Sequence, residues 1–205
     1  MKDEFGNRMK LYYEARSKTS LIRRTPVIIR LDGKAFHTFT KGFVKPFDEC
    51  MSKAMQETMK YLCENIQGCV LGYTQSDEIS LVLIDYQKLT TDSWFDYEVQ
   101  KICSVTASMA TLIFNRKFHA QVNELIWNGS LTDEELATAY RRSIKMGAMF
   151  DSRCFNIPKE EVTNYILWRQ QDATRNSINS VGQAYFPHKQ LEGLNVNQVQ
   201  ELLFK

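Results

Sequence analysis

Two aspartates stand at predicted strand ends, where they could act together. Asp32 ends the short apolar run 26–32 (PVIIRLD), and Asp77 lies in the three-residue connection between two further predicted strands, 69–75 and 79–85. In a β-α-β-β order the first and third strands are central neighbours, so both carboxylates are expected at the same end of the sheet. Close carboxylates need a cation, and Mg²⁺ is one that carboxylates share with phosphates. The pair predicts a two-magnesium site for phosphoryl chemistry, although either aspartate alone is equally typical of a turn.

The loop that follows Asp32 is a candidate phosphate site. It contains Gly33, Lys34, Ala35, Phe36 and His37. Successive backbone N–H groups in such a turn can surround phosphate oxygens, and glycine lets a ligand approach the chain closely. Its lysine, with Lys41 and Lys45 nearby, could pair with phosphate, although lysines are more often simply solvated. Glu78 is a weaker catalytic candidate, because as the first residue of the next strand its side chain could point away from Asp77.

A helix that begins near Pro158 carries groups that suit RNA. Its segment 164–186 mixes aromatic rings with cations and amides, namely Tyr165, Trp168, Tyr185, Arg169, Arg175, Asn176 and Asn179. Such groups hold RNA backbones and stacked bases, so the two arginines and two asparagines are candidate RNA-binding residues. A helix with one buried and one solvated face would show a similar mixture.

The remaining pattern predicts an α+β fold. Helices are expected over about 3–19, 48–66, 94–118, 130–145 and 158–186, and strands over 26–32, 69–75, 79–85 and 147–157. The core order is then β-α-β-β-α-β, which is the ferredoxin-like order of an antiparallel sheet with two helices on one face. Residues 1–157 would form a catalytic domain with an N-terminal helix, and residues 158–205 a helical region packed on it. Such a fold alone implies no function.

The composition suits a globular protein of one domain with added helices. The 205 residues are 43% hydrophobic and 24% charged, with a formal net charge of +2. Basic residues dominate 1–50 and 141–205 and acidic residues dominate 51–140, which suits an RNA-facing surface beside a metal site or is ordinary variation.

The five cysteines form no C-x-x-C pair, so we expect free thiols and a cytoplasmic location. Neither a signal peptide nor a membrane-spanning apolar run is present, so no membrane partner is expected.

Four motifs together resemble one known family. In order they are RLDGKAFHTF, FVKPFD, GYTQSDEIS and WRQQDATRNSIN, and the similarity extends over about residues 5–190. They resemble the tRNA-histidine guanylyltransferase family, and most closely its bacterial and archaeal "like" members, which repair tRNAs that lack 5′ nucleotides. The resemblance implies a polymerase-type palm domain that adds nucleotides in the 3′-to-5′ direction. It also implies tRNA and nucleoside triphosphates (GTP, ATP) as substrates, and a homotetramer.

The resemblance also implies a role for individual residues. Asp32 and Asp77 would bind two Mg²⁺ ions, and the Gly33 carbonyl would complete one of the two sites. The nucleoside triphosphate would be lined by Asp32, Gly33, Lys34, Ala35, Phe36, His37, Ser76 and Asp77. Lys45 matches a basic residue of the family's KP segment, and Lys101 matches a triphosphate-binding lysine on the second long helix.

The chain departs from the family at two places. Eukaryotic members carry His-Ile-Asn-Asn where this chain has the segment 174–177, Thr-Arg-Asn-Ser, which favours tRNA 5′-end repair over strict selection of tRNA-His. The segment 119–147 is longer than in other members and has no role that the sequence reveals.

Three other functions are alternatives to tRNA 5′-end repair: a strict tRNA-His enzyme, a palm-type nucleotide cyclase, and a non-catalytic RNA-binding domain. A cyclase needs no RNA-binding helix, and an RNA-binding domain would carry aromatic residues on its central strand, whereas 26–32 is aliphatic and ends in a carboxylate.

Overall fold

A four-stranded antiparallel sheet organises the part of the chain that the structure, a computed structural model, describes: residues 3–204. The strands are β1 (Val27–Gly33), β2 (Cys69–Gln75), β3 (Glu78–Leu83) and β4 (Phe150–Asn156). Their spatial order is β2-β3-β1-β4, so the first and third strands are the central pair, as the sequence predicts. The register places Asp32 of β1 opposite Glu78 of β3 on one side and opposite Asp151 of β4 on the other.

Helices cover both faces of this sheet. Within the described residues they are α1 (Glu4–Tyr12), α2 (Phe36–Phe39), α3 (Glu49–Asn65), α4 (Val99–Trp127), α5 (Glu134–Met146), α6 (Val162–Tyr185), α7 (His188–Leu191) and α8 (Val196–Leu203). The predicted β-α-β-β-α-β order runs through β1, α3, β2, β3, α4 and β4, with α2 and α5 inserted. No helix between residues 3 and 204 is both long and apolar enough to cross a membrane.

Two predicted helix bounds were wrong. The first helix ends at Tyr12 instead of near residue 19, and a 3₁₀ turn, Glu14–Ser17, follows it. The second long helix begins later than predicted and continues past residue 118 to Trp127. The extension has a physical reason, because Phe118 and Val122 are both buried and prolong the apolar stripe that packs on α3.

One face of the sheet packs on α3 and α4. The side chains of β1 on this face, Val27, Ile29 and Leu31, are completely buried. α3 begins at Asp48, whose carboxylate accepts a hydrogen bond of 2.9 Å from the Met51 N–H and so caps the helix. Near Asp32 the core is aromatic, with Phe36, Phe39, Phe114, Phe118 and Phe150 in mutual contact. This cluster anchors the loop that leaves β1.

The opposite face of the sheet packs on α6. Side chains alternate along a strand, so Ile28, Arg30 and Asp32 point toward this second face. Tyr165 of α6 packs on Ile28, and its hydroxyl lies 2.9 Å from the Ser80 hydroxyl. The predicted boundary at residues 157/158 coincides with the connection from β4 to α6, and the division into two functional regions stays a prediction.

α5 holds the loop between α2 and α3 in place. The Tyr140 hydroxyl donates a hydrogen bond of 2.7 Å to the Asp48 carboxylate, which also accepts one of 3.2 Å from the Val44 N–H. Ser143 and Arg142 donate to the Phe39 carbonyl at the end of α2. The segment 119–147, to which the sequence assigned no role, therefore buttresses residues 36–48. Burial raises the pKa of Tyr140, which keeps its hydroxyl a neutral donor.

Tyr140→Phe should lower the free energy of unfolding by about 2 kcal/mol, the typical cost of a lost hydrogen bond to a buried charged group. The phenylalanine ring would keep the packing of Tyr140 on Phe43 and Phe118. Urea denaturation measures the difference. Thr138→Val, at an exposed position of the same helix, is the control and should cost less than about 0.5 kcal/mol. Equal stability of Tyr140→Phe and the parent protein would show that α5 does not buttress the loop through Asp48.

Candidate active site

The structure brings Asp32 and Asp77 to the same end of the sheet. Asp32 is the penultimate residue of β1, and Asp77 occupies the two-residue turn between β2 and β3. The Gly33 N–H donates a hydrogen bond of 3.1 Å to the Asp77 carbonyl, so the backbone joins the two positions directly. The Ser76 hydroxyl donates to the Asp77 carboxylate at 3.0 Å and orients it.

Negative charge is concentrated at this end of the sheet. Burial raises the pKa of Asp32 above its ordinary value, and the charges of Asp77, Asp151 and Glu78 raise it further. Burial also raises the pKa of Asp77. Asp151 was missed by the sequence analysis, which placed it on a predicted strand but had no means of knowing that this strand pairs with β1 opposite Asp32. A bound cation would relieve the repulsion within this group.

The donor set fits a magnesium ion that is shared with a substrate. Within residues 3–204 no group of three or more His, Cys, Asp or Glu side chains is arranged to hold a metal ion. Mg²⁺ rarely needs such a cage, because one or two carboxylates commonly hold it together with water and substrate phosphates. Asp32 and Asp77, with a backbone oxygen such as that of Gly33, supply oxygen donors of this kind.

A cleft of about 530 Å³ opens beside the two aspartates. Most of the residues predicted to contact a nucleotide line it: Gly33, Ala35, Phe36, His37, Lys45, Ser76 and Asp77. Ala35 has a left-handed backbone (φ 53°), the conformation that turns successive N–H groups toward an anion. A side chain at Gly33 would come within 2.3 Å of the Phe36 ring, so the close packing of this loop requires glycine. Asp32 and Lys34 do not line the cleft; Asp32 directly precedes the lining residue Gly33, and the Lys34 N–H is bonded to the Met149 carbonyl.

A second cavity, of about 330 Å³, adjoins the cleft. Its walls are the start of α3, the end of β2 and one side of α6, where Ala173, Asn176, Ser177 and Ser180 lie. The two spaces share Pro46, Asp48, Met51 and Ser76 along their common border. Asn176, predicted to bind RNA, therefore also borders the space next to the nucleotide cleft.

Lys101 does not line this cleft within one chain, so its predicted contact with a triphosphate stays a prediction. It lies near the start of α4, beside the part of β4 that pairs with Ile29. α4 reaches the Asp32 end of the sheet at Thr111, whose hydroxyl accepts a hydrogen bond from a backbone N–H of β4. The rise of about 1.5 Å per helical residue puts Lys101 roughly 15 Å farther along. Its amine lies 5.1 Å from the centre of the Phe95 ring.

Glu78 and Arg169 form a buried ion pair on the α6 face of the sheet. The Arg169 Nη1 donates to both oxygens of Glu78, at 3.1 and 3.0 Å, and Arg30 donates to the same carboxylate. Arg169 is 3% exposed, so its predicted contact with RNA is corrected: its position on α6 faces the sheet instead of solvent. Glu78 shares a face with Asp32, but its charge is neutralised by two arginines. This geometry suits a residue that positions α6 beside the aspartates.

The other predicted RNA-binding residues of α6 remain accessible. Arg175 and Asn176 are exposed, and both donate hydrogen bonds to Asp172, at 3.0 and 3.4 Å. Asn179 is half-buried on the same helix. Their contact with RNA stays a prediction.

Glu78→Gln should lower the free energy of unfolding by about 3–5 kcal/mol, because it removes the buried counter-charge of Arg169 and leaves only the partly exposed Asp172 beside the guanidinium. Urea denaturation measures the loss. Asp172→Asn is the matched control: Asp172 also pairs with Arg169, at 3.5 Å, but it is partly exposed and should cost under about 1 kcal/mol. Adding Arg169→Met to Glu78→Gln should recover part of the loss. A loss for Glu78→Gln no larger than that for Asp172→Asn would contradict the anchoring role.

The family described as tRNAHis guanylyltransferase (Thg1) matches residues 6–158 of this chain. A bacterial tRNA(His) guanylyltransferase (Thg1)-like protein, solved in complex with ATP, is 47% identical; the superposition covers 98% of this chain and 79% of that chain, with a TM-score of 0.81. The same kind of protein in complex with GTP gives a TM-score of 0.74 at 47% identity, over 90% of this chain and 78% of that chain.

Eukaryotic relatives are more distant. The tRNA(His) guanylyltransferase of Saccharomyces cerevisiae is 25% identical, with a TM-score of 0.62 over 96% of this chain and 84% of that chain. A probable tRNA(His) guanylyltransferase of Dictyostelium discoideum is 28% identical over 77% of this chain, and the match spans about half of that relative's length (54%). Because the family match includes the Asp32 loop, the Asp77 turn and all four strands, this chain belongs to the tRNA(His) guanylyltransferase family of nucleotidyltransferases.

Proposed function

We propose that this protein adds nucleotides to the 5′ end of tRNA, in the 3′-to-5′ direction, on a polymerase-type palm. The observation that carries the proposal is the convergence of Asp32 and Asp77 beside a cleft whose loop makes a left-handed turn at Ala35. Family membership supports nucleotidyl transfer as the reaction, and the similar bacterial proteins solved with ATP and with GTP support a triphosphate in the cleft.

Two steps account for the reaction. A 5′-monophosphate of the tRNA first attacks the α-phosphate of ATP or GTP, and pyrophosphate leaves. The 3′-hydroxyl of an incoming GTP or other nucleoside triphosphate then attacks the activated 5′ phosphate; a new phosphodiester bond forms and the activating nucleoside monophosphate leaves. Two Mg²⁺ ions, when bound, would supply charge neutralisation at the attacking and leaving oxygens.

The chain's own residues would align these groups. Asp32 and Asp77, with the Gly33 carbonyl, would hold the ions. The left-handed turn at Ala35 and the ammonium of Lys45 would bind the triphosphate oxygens. Further polar contacts would come from His37 and Ser76, which line the same cleft, and Lys34 would act on the phosphates from outside it, through its charge. Glu78 would act through Arg169, by keeping α6 at a fixed distance from the two aspartates.

The tRNA would lie along the exposed side of α6. Arg175, Asn176 and Asn179 are the residues proposed to contact it, as one cation and two amides. Asp172 holds the first two by hydrogen bonds and so pre-orients them. By resemblance to its family we also propose a homotetramer, in which the Lys101 of each chain would be free to serve a neighbouring cleft.

Asp32→Ala or Asp77→Ala should reduce nucleotide addition by at least about 10³-fold, because each carboxylate would serve both ions and neither has a substitute. The assay contains the protein, Mg²⁺, GTP and a 5′-truncated tRNA, and growth of the 5′ end is followed by primer extension. Unfolding and tRNA affinity are measured in parallel and should stay close to those of the parent protein. Activity near the parent level in either variant would refute the two-metal assignment.

A matched control tests whether removing any nearby carboxylate would reduce activity as much as Asp32→Ala does. Asp151→Ala removes a carboxylate that faces Asp32 from β4 but is exposed and bonded to Arg153. Its activity should fall far less than that of Asp32→Ala. The rival cyclase hypothesis requires a cyclic nucleotide to form from ATP or GTP alone. Incubating the protein with Mg²⁺ and ATP or GTP, without RNA, and measuring the cyclic nucleotide tests it.

The substrate range should be that of a repair enzyme. The segment 174–177 lacks the histidine of the eukaryotic motif, and the structural similarity is greater to the bacterial Thg1-like protein than to the yeast enzyme. The aspartates touch only metal and phosphate in this mechanism, so base choice must come from pairing with the opposite strand. An unpaired buried polar group costs about 1–3 kcal/mol, or roughly 5- to 150-fold in rate.

Truncated tRNAs that differ in anticodon and in template base should therefore all be extended with the complementary nucleotide. Primer-extension mapping of the 5′ ends measures the outcome. Extension confined to tRNA-His, or guanosine added whatever the opposing base, would favour a strict tRNA-His guanylyltransferase and contradict the repair function. tRNA binding should weaken steeply with salt, because most contacts to the tRNA body are electrostatic.

A further inference from the structure

Trp168 is fixed in place on α6 without being covered. Its side chain is 46% exposed, although large aromatic rings are usually mostly buried. The guanidinium carbon of Arg169 lies 3.5 Å from the centre of the indole ring, and that guanidinium is itself held by Glu78. The Tyr165 ring packs against it edge-on at 5.9 Å. The ring is therefore pre-oriented, with part of its surface open to a ligand.

The two sides of α6 differ in what they face. Ala173, Ser177 and Ser180, spaced i, i+4 and i+7, line the cavity that adjoins the nucleotide cleft. Trp168 and Arg175 belong to another stripe, 168, 172, 175 and 179, spaced i, i+4, i+7 and i+11. At 3.6 residues per turn the two stripes lie roughly 140° apart around the helix. A molecule that touches Trp168 therefore meets Arg175 along the same stripe, whereas Asn176 lies between the two stripes and also borders the cavity.

Basic residues lie on the sheet beside this ring. The guanidinium carbon of Arg30 is 5.8 Å from the Trp168 ring centre. Arg153 of β4 stands directly opposite Arg30 in the strand register, and half of its side chain is exposed. The same strands carry Asp32 and Asp151 two residues away. An aromatic ring flanked by arginines is the arrangement that holds a stacked base and its backbone phosphates.

We propose that Trp168 is a stacking platform for a nucleobase at the end of the RNA substrate, next to the phosphate that reacts at Asp32 and Asp77. This inference rests on the proposed function and adds to it a residue that positions the RNA end. RNA is the source of the base, because Trp168 lines neither the cleft nor the adjoining cavity but shares a stripe of α6 with Arg175 and Asn179. Stacking on a ring that Glu78 and Arg169 already hold costs little ordering of the side chain.

Tryptophan fluorescence tests the contact directly. The chain has three tryptophans. Trp94 is 9% exposed and should respond weakly, whereas Trp127 is 90% exposed, so Trp127→Phe removes the main competing signal. In that background, a 5′-truncated tRNA should quench the Trp168 emission by stacking, and GTP without RNA should not. Quenching by GTP alone would assign the base to the mononucleotide and overturn the proposal.

Substitution then measures the size of the effect. Trp168→Ala should raise the Kd for the truncated tRNA about 10-fold, within the range found for one stacked base, while the KM for GTP changes less than two-fold. Trp168→Phe should restore most of the affinity, since a smaller ring still stacks. Tyr185→Ala removes an exposed ring from another side of the same helix and should leave the Kd unchanged.

The outcomes separate this proposal from the proposed function. If the parent binds and extends tRNA but Trp168→Ala does so with equal affinity, the platform is refuted and the nucleotidyl transfer stands. If Trp168→Phe is as impaired as Trp168→Ala, the ring acts through packing and stacking is refuted. If the parent protein does not bind tRNA at all, both proposals fail.

Discussion

The antiparallel register between β1 and β3 is the constraint on which the site depends. It sets Asp32 opposite Glu78 and lets the Gly33 N–H bond to the Asp77 carbonyl, so a strand end and a hairpin turn become one unit. A shift of one residue would turn Asp32 toward the apolar core on α3 and α4. The buried Val27, Ile29 and Leu31 oppose such a shift, because each would then move to the α6 face. Hydrophobic packing on one face of the sheet thus sets the chemistry on the other.

Bringing several carboxylates to one end of the sheet creates electrostatic repulsion, and arginines neutralise only some of these carboxylates. Asp32, Asp77, Glu78 and Asp151 lie close enough for their charges to raise the pKa of Asp32. Glu78 is neutralised by Arg30 and Arg169, and this pairing attaches α6 to the sheet; Asp151 pairs with Arg153. Among residues 3–204 no lysine or arginine forms an ion pair with Asp32 or Asp77, so both carboxylates remain available to metal ions. The Nε atoms of Arg30 and Arg169 are buried without a hydrogen-bond partner, a further cost of bringing this much charge inside.

Hydrogen bonds from α5 hold the loop between α2 and α3 in its conformation. The loop begins after Phe39, the last residue of α2, and ends at Asp48, whose side chain caps α3. α5 reaches both ends, through Ser143 to the Phe39 carbonyl and through Tyr140 to Asp48. An inserted segment far from the aspartates in sequence therefore supports the loop that forms one wall of the cleft. These contacts hold the loop in position from outside the cleft.

The sequence by itself determined the order of the core elements and the placement of Asp32 and Asp77 at the same end of the sheet. These follow from local periodicity and from the rule that places the first and third strands of this order side by side. Only the tertiary structure decided which way Arg169 points, that Asp151 joins the carboxylates, and that Lys101 lies at the other end of α4. The physical reason is that periodicity reports which side of an element is buried, whereas these outcomes depend on the register and the helix placement that bring distant segments together.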